Sequence, residues 1–192
     1  MNTPQIYDIV LMLIGLNDNG FQGKTNIQKN IYLLEKMLSP EKIEFPCRFR
    51  PYFYGPFSRE VSNALDLLRD TRLLQVSETV YAKGDPFDVT QTSYHLTPMG
   101  IVAFDSVKDE YPDFFSLFNV AFDKIKGTHC HEKTKIISAA AKIELILSAE
   151  GGPLTQESIK QKAQQLGWTL DGDGIKAAVK VLLDTGLAKK PD

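Results

Sequence analysis

The chain has 192 residues, of which 43% are hydrophobic, 24% charged and 10% aromatic. This composition supports a folded core and excludes a disordered chain. A net charge of -2 excludes a protein that coats nucleic acid through bulk positive charge, so such contact would need a local patch. Two cysteines cannot form a disulfide framework, and no apolar run reaches the roughly 18 residues of a membrane span. We therefore expect a cytoplasmic protein with no membrane contact.

The first half of the chain predicts three helices and a hairpin. Apolar residues at helical spacing predict helices over about residues 4–16 and 25–38. From Ile43 to Tyr54 apolar and charged residues alternate, which predicts a short edge strand. Ser58 is expected to cap a third helix, and the runs from Leu73 to Tyr81 and from Ser93 to Leu96 predict a β-hairpin.

Three helices followed by a hairpin is the order of a winged helix, a variant of the helix-turn-helix unit. We assign residues 1–105 to such a domain, and we expect the strand before the third helix to join the hairpin in a sheet. The fold class is then α+β and mostly helical.

The second half predicts a helical connector over residues 106–150 and a small helix-turn-helix-like domain over residues 151–192. Gly151-Gly152-Pro153 separates the two as a linker. Phenylalanines recur at helical spacing between Phe114 and Phe122, so this connector is expected to bury apolar surface against the first domain or against a second copy. A homodimer is the oligomer that we expect, because two-fold dimers are the commonest.

Three short motifs between Gly23 and Gly100 resemble a known family. They are GKTNIQKNIYLLEKM from Gly23, YFYGPFSREVSNALDLL from Tyr52, and YHLTPMG from Tyr94. This stretch resembles the bacterial and archaeal YwgA-like proteins and, more distantly, the Panacea domain of SocA-type antitoxins. Asn30 stands where those families usually have leucine, which we interpret as a change on the helix surface. The resemblance implies a prokaryotic winged-helix-like protein, some of whose relatives act as antitoxins or protein adaptors.

The exposed face of the third helix is one candidate for contact with DNA. Its basic and amide side chains are Arg59, Asn63 and Arg69, but Asp66 and Asp70 share that face. At the predicted wing, Lys83 stands against Asp85 and Asp88. Mixed charge is also typical of a solvated or protein-binding surface, so both interpretations stay open.

Two other cationic groups are candidates. Arg48, Arg50, Tyr52 and Tyr54 share one face if the predicted strand forms, and arginines beside aromatic rings suit phosphates and stacked bases. A solvated strand edge is the alternative. In the C-terminal unit Lys176 and Lys180 are one helical turn apart, although nearby aspartates nearly balance the lysines there.

The chain offers little for catalysis or metal binding. His129-Cys130-His131 is the one metal-like cluster, but adjacent residues seldom point at one ion and no second pair has zinc-site spacing. No nucleophile elbow, Walker loop or dinucleotide fingerprint is present. We expect no enzyme activity, no metal and no cofactor.

Two hypotheses remain. The first is a DNA-binding regulator or antitoxin-type protein that uses Arg59, Asn63 and Arg69, supported by Arg48 and Arg50 and by Lys176 and Lys180. The second is a protein-interaction adaptor without DNA binding, whose partner contacts the surface from Arg48 to Tyr54 or the aromatic connector.

Overall fold

The computed structural model describes residues 4–82, 89–131 and 133–189, and these form a mostly helical α+β fold. The helices are α1 (Ile6–Gly15), α2 (Lys24–Leu38), α3 (Arg59–Asp70), α4 (Pro98–Glu110), α5 (Pro112–Gly127), α6 (Thr134–Glu150), α7 (Gln156–Gln165) and α8 (Gly172–Asp184). The strands are β1 (Phe21–Gln22), β2 (Leu74–Ala82) and β3 (Val89–Leu96). None of the helices in these ranges is long and apolar enough to cross a bilayer.

The three strands form one antiparallel sheet in the order β1-β3-β2. The predicted hairpin is confirmed as β2 and β3, paired with Leu74 opposite Leu96 and Val76 opposite Tyr94. The third strand is not the one that we expected. It is β1, between α1 and α2, where Phe21 pairs with Tyr94. The hairpin tip with Lys83, Asp85 and Asp88 lies outside the described residues.

The predicted strand between Ile43 and Tyr54 is wrong. Its residues belong to the segment 39–58, here called the α2–α3 loop, in which a short 3-10 turn (Ser39–Glu41) is followed by irregular backbone and one isolated bridge between Arg50 and Phe57. Pro46 and Pro51 each remove a backbone donor that a ladder would use. The alternation nevertheless predicts correctly which side chains are buried and which are exposed. Phe45 is buried, whereas Arg48 and Arg50 are exposed.

Helix α1 lies at the centre of the core. All its residues from Ile9 to Ile14 are buried, and the helix contacts α2, α3, α4 and the sheet. A helix that is apolar on every side is stable only when neighbours surround it. The longest apolar stretch of the sequence therefore forms the central helix of the core.

The later helices begin where the capping residues predict. Ser58, Thr97 and Thr155 each accept a backbone N–H of the first turn through the side-chain oxygen. Asp171 caps α8 in the same way, with Oδ1 2.6 Å from the Gly174 nitrogen. The helices predicted from Thr97 and Thr155 are therefore confirmed, and those predicted from Pro112 and Lys133 are confirmed as α5 and α6, which begin without a side-chain cap.

The phenylalanines of α5 pack within the chain. Phe114, Phe118 and Phe122 are buried, and their rings contact Phe45 and Phe21 of the N-terminal part. Helix α6 contacts α2 on one side and α7 and α8 on the other. One connected cluster of buried side chains runs from Ile9 in α1 to Leu182 in α8. The division into three domains and the homodimer stay predictions.

Candidate nucleic-acid interface

The α2–α3 loop is fixed by two buried side chains of α2. The amide of Gln28 donates to the Ser58 carbonyl oxygen at 2.8 Å and accepts from the Ser58 N–H at 3.0 Å. The ammonium group of Lys29 donates to the Pro56 carbonyl oxygen at 2.6 Å. Gln28 is 1% exposed and Lys29 2% exposed, so water does not compete for these bonds. The first two motifs of the family resemblance thus contact each other through these residues.

The turn at Gly55 depends on a residue without a side chain. Its φ is 100°, a left-handed value that favours glycine, and a Cβ there would lie 3.0 Å from Cγ of Lys142 and 3.3 Å from Cε of Lys29. The turn then leads through Pro56 to Ser58, whose hydroxyl accepts from the Val61 N–H at 3.2 Å and begins α3. Turn and helix start are therefore positioned together.

A third attachment comes from the C-terminal part of the chain. The indole Nε1 of Trp168 donates to the Tyr52 carbonyl oxygen at 2.7 Å. The Tyr52 ring packs against Phe57 with centroids 5.2 Å apart, and Arg50 and Phe57 exchange two backbone hydrogen bonds of 3.0 and 2.9 Å. The segment from Arg50 to Phe57 is therefore held from both sides.

Three arginines line one cavity of about 620 Å³ beside the start of α3. We call Arg48, Arg50 and Arg59 the arginine surface. Tyr52 and Phe57 supply aromatic walls, and Glu60 is the one carboxylate in the lining. The Glu60 carboxylate accepts from the Ser58 hydroxyl at 2.7 Å, and this bond lowers its pKa. The lining is thus net positive, and none of the three guanidinium groups forms an ion pair with a carboxylate of the described ranges.

The other predicted cations form ion pairs with carboxylates. Arg69 is exposed at the end of α3, but its guanidinium lies 2.9 Å from an Asp70 oxygen and 3.4 Å from an Asp66 oxygen. The hydrogen bond that Arg69 donates to Asp70 raises the pKa of Arg69.

The C-terminal lysines are paired as well. Lys180 lies 2.6 Å from Asp184, which raises the pKa of Lys180, and Lys176 lies 3.9 Å from Asp173. Both are on α8, which packs mainly against α6. They are therefore not part of the lining around the arginine surface.

Two further predictions about side chains are settled by the geometry. Asn63 is exposed one turn after Arg59, so the two share a helix face as expected. Tyr54 does not line the cavity with Arg48 and Arg50, because the strand that would have aligned them does not form; it lines two neighbouring cavities instead.

Asn30 is not on the helix surface. It is fully buried, and its amide donates to the Asn26 carbonyl oxygen at 3.0 Å and to the His131 carbonyl oxygen at 3.1 Å. The departure from the family pattern is thus an internal polar contact between α2 and the segment before α6.

The described part of the chain includes His129 and Cys130 of the metal-like cluster and the thiol of Cys47. No three His, Cys, Asp or Glu side chains there are arranged to hold a metal ion. Burial, with Glu35 and Glu60 nearby, raises the pKa of Cys47 to about 12, so this thiol is protonated at neutral pH.

No protein-family model matches this sequence, and no curated protein matches it significantly. The resemblance to the YwgA-like and Panacea families therefore stays a prediction that rests on the three motifs.

Proposed function

We propose that the chain is a winged-helix DNA-binding protein, a regulator or antitoxin-type protein of a prokaryote. The order of elements from α1 through β1, α2, α3, β2 and β3 favours this, as does a sheet in which a strand after the first helix joins the hairpin. In such a domain α3 would be the helix that enters the major groove.

The observation that carries the proposal is the arginine surface at the start of α3. Guanidinium groups bind phosphate oxygens in bidentate geometry, and they do so best when no carboxylate competes. Arg50 and Arg59 meet this condition, and Arg48 has only the nearby charge of Glu60 without an ion pair, whereas Arg69, Lys176 and Lys180 are paired with aspartates. Asn63 on the same face of α3 has an amide of the kind that pairs with adenine edges.

The α2–α3 loop makes this interface different from that of an ordinary helix-turn-helix. A helix-turn-helix usually has a turn of three to four residues at this point. Here residues 39–58 stand in its place and bring Arg48 and Arg50 beside Arg59. We therefore expect the loop and the first turn of α3 to contact the DNA backbone together.

The test compares two double variants that each remove two positive charges. Arg50→Ala with Arg59→Ala is expected to weaken binding to a random-sequence duplex by roughly 10- to 100-fold at low salt. It should also reduce the slope of log affinity against log salt by up to about 1.8, at about 0.9 per lost phosphate contact. Lys176→Ala with Lys180→Ala is expected to change affinity less than about threefold, because their aspartates already compensate them.

Fluorescence anisotropy across a salt series measures both quantities. Equal losses in the two double variants would move the interface away from the arginine surface. Wild-type protein that shows no salt-dependent binding would contradict DNA binding itself.

A protein adaptor is the second candidate, and the tip of the α2–α3 loop favours it. Tyr52, Phe53 and Tyr54 are 54%, 75% and 70% exposed, an unusual concentration of aromatic surface that we call the aromatic tip. Exposed apolar groups of this kind are typical of protein contacts.

The adaptor hypothesis predicts a partner that depends on the aromatic tip. Phe53→Ser with Tyr54→Ser is expected to abolish its capture, while Met99→Ser with Val102→Ser, two apolar residues that are also exposed, on α4, retains it. Quantitative mass spectrometry of proteins captured by the three forms measures this. A set of captured proteins that is identical for all three would exclude the tip as the docking surface.

A further inference from the structure

A second and larger cavity lies between α6, the start of α8 and Tyr54. Its volume is about 1090 Å³, slightly above the usual range for pockets that hold small organic molecules. Ile136, Ala139, Leu170 and Ala177 supply apolar walls, and Tyr54 adds an aromatic ring. The cavity is separate from the arginine surface, because the two linings have no residue in common.

One positive charge in this lining lacks a counter-ion. Lys142 is half-buried on α6, its ammonium lies 5.6 Å from the centroid of the Trp168 ring, and no carboxylate of the described ranges pairs with it. Burial lowers its pKa, which reflects the cost of holding this charge away from water. The buried ammonium of Lys29 is close enough to add repulsion.

The rim of the cavity differs from its interior. Lys135 at the rim lies 3.0 Å from an Asp171 oxygen, so its charge is already compensated. Asp173 is fully exposed and lies 3.9 Å from Lys176. The uncompensated charge of the lining is therefore that of Lys142, surrounded by apolar and aromatic groups.

We propose that this cavity binds a small organic anion with an apolar body, whose carboxylate or sulfonate pairs with Lys142 while its body contacts the apolar walls and Tyr54. A bare inorganic anion would leave those walls unfilled, and a neutral ligand would leave the lysine uncompensated. This proposal does not depend on DNA binding.

Anilinonaphthalene sulfonate is a suitable probe, and N-phenylnaphthylamine is its neutral counterpart without the sulfonate. The sole tryptophan, Trp168, lies beside the cavity, so energy transfer from its indole reports a probe bound there. Wild-type protein is expected to bind one equivalent of the sulfonate. Lys142→Met, which substitutes an uncharged, unbranched side chain one atom shorter, should weaken this binding at least about tenfold and leave the affinity for N-phenylnaphthylamine within about twofold.

Lys142→Arg should retain binding of the sulfonate, and Lys135→Met, which removes a compensated lysine of the rim, should change it less than about twofold. Ala177→Phe should exclude both probes by filling the cavity, with circular dichroism confirming that the variant is folded. The proposal is overturned by wild-type protein that binds no sulfonate, by unchanged affinity in Lys142→Met, or by equal losses in the two lysine→Met variants. Because no DNA is present, these outcomes are independent of the test of the arginine surface.

Discussion

Replacing Gln28 by alanine is expected to lower the free energy of unfolding by about 1–3 kcal/mol. The Gln28 amide satisfies both the N–H and the carbonyl oxygen of buried Ser58. Its loss leaves the buried Ser58 N–H without a partner, at a cost of about 1–3 kcal/mol, whereas the Ser58 carbonyl oxygen keeps the hydrogen bond donated by the Ser62 N–H at 3.2 Å. Urea unfolding followed by circular dichroism measures the change.

Two further variants make this result specific. Gln28→Glu keeps an acceptor for the Ser58 N–H but places a carboxylate against the Ser58 carbonyl oxygen, so it should also destabilise. Gln164→Ala makes the same chemical change at an exposed position of α7 and should stay within about 0.5 kcal/mol of wild type. If Gln28→Ala and Gln164→Ala have the same free energy of unfolding, the amide of Gln28 does not stabilise the α2–α3 loop.

Lys29→Met is expected to change how stability depends on pH. Burial, with repulsion from Lys142, lowers the pKa of Lys29 to about 8 in the folded protein, against 10.5 as its ordinary value. Between these values the unfolded chain binds the proton and the folded chain does not, so wild-type stability rises with pH there. The methionine variant lacks this rise. The difference in unfolding free energy, wild type minus variant, should therefore increase by about 3 kcal/mol from pH 8 to pH 10.5.

The difference between the two proteins removes the contribution of groups that do not interact with Lys29, because those groups titrate equally in both. Cys47, for example, has a raised pKa of about 12 and lowers stability above pH 9 in wild type and variant alike. Lys124→Met, at an exposed position of α5, is the control for the loss of one lysine charge. A flat difference between wild type and Lys29→Met over the same interval would mean that the Lys29 ammonium group is not desolvated in the folded state.

Much of the fold follows from local patterns in the sequence. Helix caps such as Ser58, Thr97 and Thr155 act within one turn, and the apolar stripe of α2 has a period that one sequence displays. The strand β1 was missed because it has two residues, too few for any alternation to appear. Its place in the sheet is decided by pairing with β3, which is distant in sequence.

Only part of the candidate site could be predicted from the sequence, again because long-range contacts leave no local pattern. Alternation correctly placed Arg48 and Arg50 on the exposed side, and helical spacing did the same for Arg59. That these three arginines meet around one cavity, and that Gln28, Lys29 and Trp168 hold the loop in place, depends on contacts over long sequence separations. A single sequence offers no direct signal for such contacts. The motif residues Gln28, Lys29 and Gly55–Ser58 nevertheless mark the two segments that contact each other.

The hydrogen bond from Trp168 to Tyr52 has a consequence for the order in which the protein matures on the ribosome. Gln28 and Lys29 leave the exit tunnel before the loop that they hold, whereas Trp168 leaves it more than a hundred residues after Tyr52. Since N-terminal parts fold first during synthesis, the α2–α3 loop of a nascent chain that ends before Trp168 is held by Gln28 and Lys29 but not by Trp168. Completion of the loop is thus tied to synthesis of the chain as far as Trp168.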